Sequence, residues 1–568
     1  MKTGKEAKNW TIKSAPPEEF YSNFNDTTPL ALQLLWNRGI KEKETVDSFL
    51  NPSYERGVFD PYLFRHMGSA VLRIERALAC GEKITVFGDY DADGVCGTAI
   101  LASFFKKIGA NFDIYIPDRS REHFGLSLQK VKDFHADGTK VLITVDCGVT
   151  DFDEIELGRS VGIDTIILDH HLVPPRWPNA LAIIDHKHPE ETYPEKVLSG
   201  AGLAFKLVQA LVKTEKFPIT AGWEKWLLDL VAIAAIADMV PLVGENRVLV
   251  TYGLKVLAKA RRLGLKYLFA MKEKNPKDSD TETISHFIAP RINAASRMDH
   301  ANTAFALLTT ENEEEARWLA NRLEDKNEER KRTVEDMLSA LNEKISSKEI
   351  PAVIFEGSSE WPAGVLGLAA SRLVETYNRP VFLYAMNEEL VKGSCRAPKG
   401  VNVVELMGKA GPVFADFGGH TLSGGFAATP ENLPRIKQTL ENAASDLVPG
   451  ETDVPIEVDA ELTLDDVNDT TFECIKALEP FGQENPRPIF LIKNAKIADI
   501  RKVGTDGSHL KMKLGPRYTG AIYFRASENG FKTGERIDII CELQENIWNG
   551  TRKIELRIID AKPTEQAL

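Results

Sequence analysis

Lys83-Ile84-Thr85-Val86-Phe87-Gly88-Asp89-Tyr90-Asp91-Ala92-Asp93-Gly94 is the stretch around which the rest of the chain is organised. Its opening run is short, apolar and β-branched, and glycines at 81 and 88 flank it, the pattern of a buried strand. From Val95 to Ile108 alanine, leucine and phenylalanine recur at helical spacing, and Gly109 closes the run, so a helix follows. Three alternate carboxylates thus fall at the carboxyl end of a strand, where open α/β sheets place their active sites. Acids this close repel one another, and a bound cation is the usual remedy. A plain acidic surface turn has the same composition. An EF-hand calcium loop matches Asp89, Asp91, Asp93 and Gly94, but its twelfth position must be a bidentate Glu, and here it is Ile100. The strand before the loop also excludes it.

Working outward, the pattern from about 70 to 240 alternates strand and helix. Strands are predicted at 83–88, 112–117, 141–145 and 164–169, which implies a mostly parallel sheet. Val141 to Val145 delivers Asp146-Cys147-Gly148, Thr165 to Leu168 delivers Asp169-His170-His171, and an apolar helix from Leu227 to Ala237 delivers Asp238. A lone Asp in such a place is ordinarily a cap, and a lone His ordinarily structural. Four polar clusters, each ending an apolar element of one α/β unit, point instead to a metal site. Carboxylates and imidazoles without thiolates favour Mn²⁺ or Mg²⁺ over tetrahedral zinc. The ligands outnumber what one ion needs, so two divalent cations are expected.

Composition sets the bounds. A chain of 568 residues has room for three or four domains, and 43% hydrophobic with 27% charged residues is ordinary for a soluble globular protein. The N-terminus has no apolar signal region, and no stretch approaches a membrane span. Six scattered cysteines without a close pair suggest reduced thiols and a cytoplasmic protein. A net charge of −13 argues against an overall basic surface but leaves room for a local basic track.

The acidic loop, Asp146-Cys147-Gly148 and Asp169-His170-His171 together resemble the DHH phosphoesterase superfamily. The strings from Leu198 to Lys206, Ile236 to Leu242 and Gly244 to Arg247 are similar to those of its RecJ family, 5′ exonucleases specific for single strands, and the likeness spans nearly the whole chain. That resemblance implies Asp146 as the bridge between the ions, with Asp91, Asp93, His170 and Asp238 completing the metal shell. Asp89 becomes a ligand or close support, Asp169 orients the adjacent histidine, and His171 polarises the phosphate or protonates the leaving oxygen. It also implies a 5′-phosphate pocket using Arg119, Ser394 and Arg396, substrate contacts from Arg291, Gly419 and His420, and a place near the active site for the stretch holding Asn293 and Arg297. The sequence departs from the family at Ser296, usually Gly, and at Pro362, generally His.

The remaining segments complete a fold of class α/β. Residues 1–70 are expected to be helical support, 71–310 a parallel-sheet DHH domain, and 311–350 a connecting helix opened by a capping box at Thr310 and Glu313. That helix is almost wholly charged in mid-course, predicting a solvent-bridging rod roughly 55 to 60 Å long between two domains. Residues 351–450 resemble a smaller α/β DHHA1 domain, and 451–568 show about five short strands at turn spacing, as in a β-barrel of OB type. There Lys502, Lys511, Lys513, Arg517, Arg525 and Arg552, with Tyr518, Tyr523, Phe524 and Trp548, offer basic and aromatic groups for single-stranded DNA. The function expected is a metal-dependent 5′-to-3′ exonuclease in DNA repair and recombination, working as a monomer. Single-strand-binding protein and a RecQ-type helicase are partners implied by family. The alternatives are a DHH phosphodiesterase of short oligonucleotides, a pyrophosphatase, or a non-catalytic DNA-binding scaffold.

Overall fold

The computed structural model describes residues 9–564 apart from 25, 120, 123, 173–175, 347–349, 387–389, 412, 445–454, 505–506, 527–529 and 549–550. The chain divides into two compact units. One comprises Val58–Val240 and Leu249–Glu451, the other Met1–Gly57, Pro241–Val248 and Thr452–Leu568.

In the first unit, β1 (Lys83–Gly88), β2 (Phe112–Tyr115), β3 (Thr139–Val145), β4 (Asp164–Leu168) and β5 (Ala182–Ile184) form one sheet in the order β2-β1-β3-β4-β5. Every pairing is parallel. A parallel sheet is buried on both faces, which is why its strands read as continuous apolar runs. One face is covered by α1 (Ala92–Ile108) and α2 (Gly200–Lys213), and α3 (Leu228–Ala237) packs on both. On the other, Val131, Phe134, Ile155 and Ile163 close over Phe87, Leu142 and Ile167. Helix α3 is apolar on all sides and buried over most of its length, as such a composition requires. Strand β5, only three residues long, carries no alternation by which its sequence could announce it.

Beyond the sheet lie α4 (Ala289–Met298) and α5 (Glu313–Ser346). Helix α5 has 34 residues and spans about 51 Å. Its cap differs from the one expected. Asn312 Oδ1 accepts the Glu315 amide at 2.9 Å, and Thr310 Oγ1 accepts the Asn312 amide at 3.1 Å, so Asn312 rather than Thr310 is the N-cap. Nor is its middle a solvated rod. Glu324 and Asn327 are buried, and Glu324 pairs with Arg291 at 2.6 Å and Lys272 at 2.8 Å. The polar mid-course therefore has one buried, paired face, while Asp325, Glu329, Lys331 and Arg332 on the other are exposed. Farther along, Val334, Met337, Leu341 and Ile345 pack with Val365, Leu366, Ala369 and Leu373. Val365 precedes, and the other three belong to, α6 (Leu366–Tyr377), which lies on a second sheet.

That sheet holds β6 (Ile354–Ser358), β7 (Val381–Ala385), β8 (Val391–Arg396), β9 (Asp416–His420) and β10 (Ser423–Ala428) in the order β9-β10-β8-β7-β6. Only β6 and β7 are parallel.

In the second unit, β11 (Phe490–Val503), β12 (His509–Leu514), β13 (Thr519–Tyr523), β14 (Arg536–Trp548) and β15 (Thr551–Pro563) close a five-stranded barrel in the order β11-β12-β13-β15-β14, with β14 pairing back onto β11. The N-terminal helices Pro29–Trp36 and Lys43–Leu50 join this unit, because Leu34, Leu35, Val46 and Phe49 belong to the barrel's apolar core. A third segment binds them. The Arg247 guanidinium donates to the carbonyls of Phe49, Leu478 and Glu479 and lies 3.7 Å from the Phe49 ring centroid. Tyr518 and Phe524 are exposed on the barrel, Tyr523 packs partly against its core, and the Trp548 side chain lies outside the described residues. Among the described residues no helix is long and apolar enough to cross a membrane.

Candidate metal centre and phosphate cavity

The acidic loop is held by backbone amides. Asp91 caps α1, its Oδ1 accepting from the amides of Asp93 at 2.9 Å and Gly94 at 3.2 Å. Gly94 lies so close under the loop that a Cβ there would sit 2.5 Å from the Asp89 carbonyl oxygen. Asp93, 1% exposed, accepts from Gly200 N at 2.6 Å and Ala201 N at 2.8 Å. The α2 N-terminus, capped by Ser199, thus brings its positive dipole end to this carboxylate.

The other strand ends complete the site. Asp146 follows β3 at a φ of 64°, a left-handed conformation that costs a non-glycine residue free energy and marks a position fixed by its surroundings. Asp169, after β4, accepts from the amides of Val149, His170 and His171 and from His171 Nδ1 at 2.8 Å. The His170 Nε2 lies 3.1 Å from Asp146 Oδ1 and 3.6 Å from both Asp93 Oδ2 and Asp238 Oδ2. Asp238 ends α3. Two ligand groups result, Asp93–His170–Asp238 and Asp89–Asp91–Asp146, each with its ligand atoms within 4.8 Å of one another. Asp146 also groups with His170 and His171, so it stands between the two.

Burial dominates the electrostatics here. Burial and the surrounding carboxylates push Asp146 and Asp89 well above the ordinary carboxylate range, Asp93 to about 6 and Asp238 to about 8. Burial and the neighbouring His171 lower His170 to about 3, which leaves it neutral, as a ligand must be. Burial opposes a charge on His171 too, but the hydrogen bond and charge of Asp169 outweigh it and raise His171 to about 9. Of the two adjacent histidines, His170 is thus neutral and His171 protonated near neutral pH. Asp89 Oδ1 and Asp146 Oδ1 are buried without a hydrogen-bond partner, and His170 Nε2 does not meet Asp146 in hydrogen-bonding geometry. Orphaned carboxylate oxygens facing a neutral imidazole fit a pair of divalent cations.

Beside this centre lies a cavity of about 660 Å³ lined by Tyr90, Arg119, Arg297, Ser394, Arg396, Gly419 and His420, among others. None of its lining residues is acidic. The Arg119 guanidinium lies 4.8 Å from the Tyr90 ring centroid. Burial, then Arg119 and Arg330, lower Arg297 to about 9, so the cations are held against their own repulsion. Gly367 makes the room, since a Cβ there would fall 2.7 Å from Arg396 Nη2 and 3.0 Å from Ser394 Oγ. Such a surface suits a phosphate. Pro362 is on its wall, before the turn Ala363–Val365.

Arg119, Ser394, Arg396, Gly419 and His420 therefore line one cavity. Arg291 does not. Its Nε donates to Glu324 Oε2 and its Nη1 to the Phe287 carbonyl, both at 2.6 Å, a buried structural pair inside α4 and α5. The arginine that α4 does supply to the cavity is Arg297, six residues on. Sequence reasoning also passed over Tyr90 and the Gly200 and Ala201 amides. Ser199 before a helical apolar run was the signal for the latter.

A parallel sheet with acids and histidines at its strand ends, followed by a second small sheet, defines a DHH-type protein. Accordingly, residues 83–235 match the DHH family N-terminal domain, 349–446 the DHHA1 domain and 458–560 the RecJ OB domain. The chain is 35% identical over 549 residues to the single-stranded-DNA-specific exonuclease RecJ of Bacillus subtilis, covering 95% of this chain and 69% of that protein. It is 30% identical to RecJ of Escherichia coli, covering 94% and 95%. The crystal structure of Thermus thermophilus RecJ in complex with Mn²⁺ superposes with a TM-score of 0.84 at 29% identity, covering 99% of this chain and 80% of that one. The chain belongs to the RecJ family.

Proposed function

We propose that this protein is a divalent-cation-dependent exonuclease that degrades single-stranded DNA from the 5′ end in repair and recombination. The carrying observation is the juxtaposition of two candidate ligand groups, Asp93–His170–Asp238 and Asp89–Asp91–Asp146, linked by the approach of Asp146 to His170, with a cavity lined by three arginines and no acid. Relatives bearing the name single-stranded-DNA-specific exonuclease, and a related structure holding Mn²⁺, support it.

Asp93, His170 and Asp238 would hold one cation and Asp89, Asp91 and Asp146 the other, with Asp146 shared. When bound, such a pair lowers the pKa of water and offsets the charge on the scissile phosphate. The protein's residues do the rest. Arg119, Arg297, Ser394 and Arg396 hold a phosphate of the strand, with Gly419 and His420 on the same wall. Asp169 accepts from His171 Nδ1–H and holds the ring as an imidazolium, protonated at both nitrogens, so that Nε2–H supplies the proton to the departing oxygen. The division of labour assigned is chemistry in 71–310, strand holding in 351–450 and capture of longer single strands by the barrel.

The test is one assay series, with 5′-labelled single strands, duplexes, dinucleotides and pyrophosphate, each with Mn²⁺, Mg²⁺ or chelator. The expected result is cation-dependent release of 5′ mononucleotides from single strands alone. Preference for dinucleotides or pyrophosphate overturns the reading, and binding without cleavage favours a scaffold. A monomer in the cytoplasm, supplied by single-strand-binding protein and a RecQ-type helicase, is the finer expectation, and family membership alone supports it. Co-purification with those partners tests it.

A further inference from the structure

Helix α4 touches both halves of the site. At one end Asn293 Oδ1 accepts the Ala92 amide at 2.9 Å. Ala92 is the first residue of α1, 1% exposed, and lies between Asp91 and Asp93. One turn later, on the same face of the helix, Arg297 lines the phosphate cavity and its Nη1 donates to the Gly364 carbonyl at 2.7 Å. The amides that open α1 are therefore divided between two acceptors. Asp91 takes those of Asp93 and Gly94, and Asn293 takes that of Ala92. Without Asn293, a buried N–H at the centre of the acidic loop loses its acceptor.

Building on the proposed function, we infer that Asn293 is a positioning residue that sets the geometry of Asp91 and Asp93 and, through α4, couples it to occupancy of the phosphate cavity. A phosphate drawn onto Arg297 bears on the same rigid turn of helix that holds Ala92. On this coupling cation and phosphate raise each other's affinity, by the same factor in each direction.

The test uses the full-length protein and two variants, Asn293→Ala, which removes the acceptor, and Asn293→Asp, which keeps it. Mn²⁺ affinity is read by calorimetry, and amide hydrogen exchange over residues 89–95 by mass spectrometry without metal. Asn293→Ala is expected to weaken Mn²⁺ binding about tenfold, the scale of a lost outer partner of metal ligands, and to speed exchange over that segment. Asn293→Asp is expected to restore slow exchange. Inorganic phosphate should slow exchange over 89–95 in the unmodified protein and have no such effect in Asn293→Ala. Unaltered exchange and Mn²⁺ affinity in Asn293→Ala overturn the positioning role. So does equally fast exchange in both variants, which would make side-chain shape rather than the acceptor decisive. An equal phosphate effect in all three proteins overturns the coupling. Failure of the functional reading shows differently, as an unmodified protein that neither binds Mn²⁺ nor cleaves strands, and the exchange comparison is readable in that case too.

Discussion

Asp146 combines a strained backbone, an unpartnered buried oxygen and a place between the two ligand groups. Asparagine tolerates its left-handed φ better than alanine, so Asp146→Asn separates ligation from folding. Loss of an outer partner of a metal ligand costs about 10- to 100-fold, so loss of a shared ligand should slow hydrolysis by at least about 100-fold. Single-strand binding should survive, and near-normal turnover after metal removal and replacement would refute the shared-ligand assignment. The charge of the centre gives a second prediction. Carboxyls titrating near 4 when unfolded are raised to about 6 at Asp93 and about 8 at Asp238 by burial and mutual repulsion. Without cations their contribution to stability is full below about pH 4 and lost as pH rises through those values. The melting temperature of the metal-free protein should fall between about pH 5.5 and 8, and Mn²⁺ should raise it more at the upper value. An equal Mn²⁺ gain at both would mean that the carboxylates are not the ligands. At the cavity, Arg396→Ala should slow cleavage of 5′-phosphorylated strands about 10- to 100-fold, the value of a charged hydrogen bond of about 1.5–3 kcal/mol. Strands ending in a 5′ hydroxyl should be much less affected, whereas equal slowing would make Arg396 a general backbone contact.

Helix α4 shows where sequence reading succeeds and where it stops. The acids and histidines of the metal centre were legible because each ends an apolar run, and strand ends of a parallel sheet share one edge. Arg291 and Arg297 belong to the same stretch, but six residues of helix turn them about 120° apart, so only one can face the cavity. Which one depends on Glu324, a residue on another helix. In the same way the charged middle of α5 reads as solvated until its partners are known. The pair makes a stability prediction. Breaking a buried ion pair costs about 3–5 kcal/mol, because the remaining charge is left uncompensated. Arg291→Ala and Glu324→Ala should each lower the urea midpoint accordingly, while the double variant loses less than their sum. A change within experimental error in Arg291→Ala would mean that Lys272 alone satisfies Glu324.

Taken whole, the chain forms two compact units, one of which joins segments far apart in sequence. The five strands of the barrel and the apolar face of the N-terminal helices were both legible, but that the one buries the other was not, since nothing local marks contacts across more than 400 residues of chain. Removing the C-terminal segment alone should therefore strip the cover from Leu34, Leu35, Val46 and Phe49 and give an aggregating protein. Removing residues 1–57 together with 452–568 should leave a soluble protein that cleaves short strands slowly and holds long ones poorly, since stacked bases contribute about 1–3 kcal/mol each. Full affinity for long strands in that protein would assign the barrel another task. The discontinuity also has a consequence in time. At about 5–20 residues per second, the N-terminal helices leave the ribosome some 20 to 80 seconds before the strands that bury them. For that interval a nascent chain carries an uncovered leucine and phenylalanine face while its neighbouring α/β unit folds, and a trigger for chaperone engagement is written into its first fifty residues.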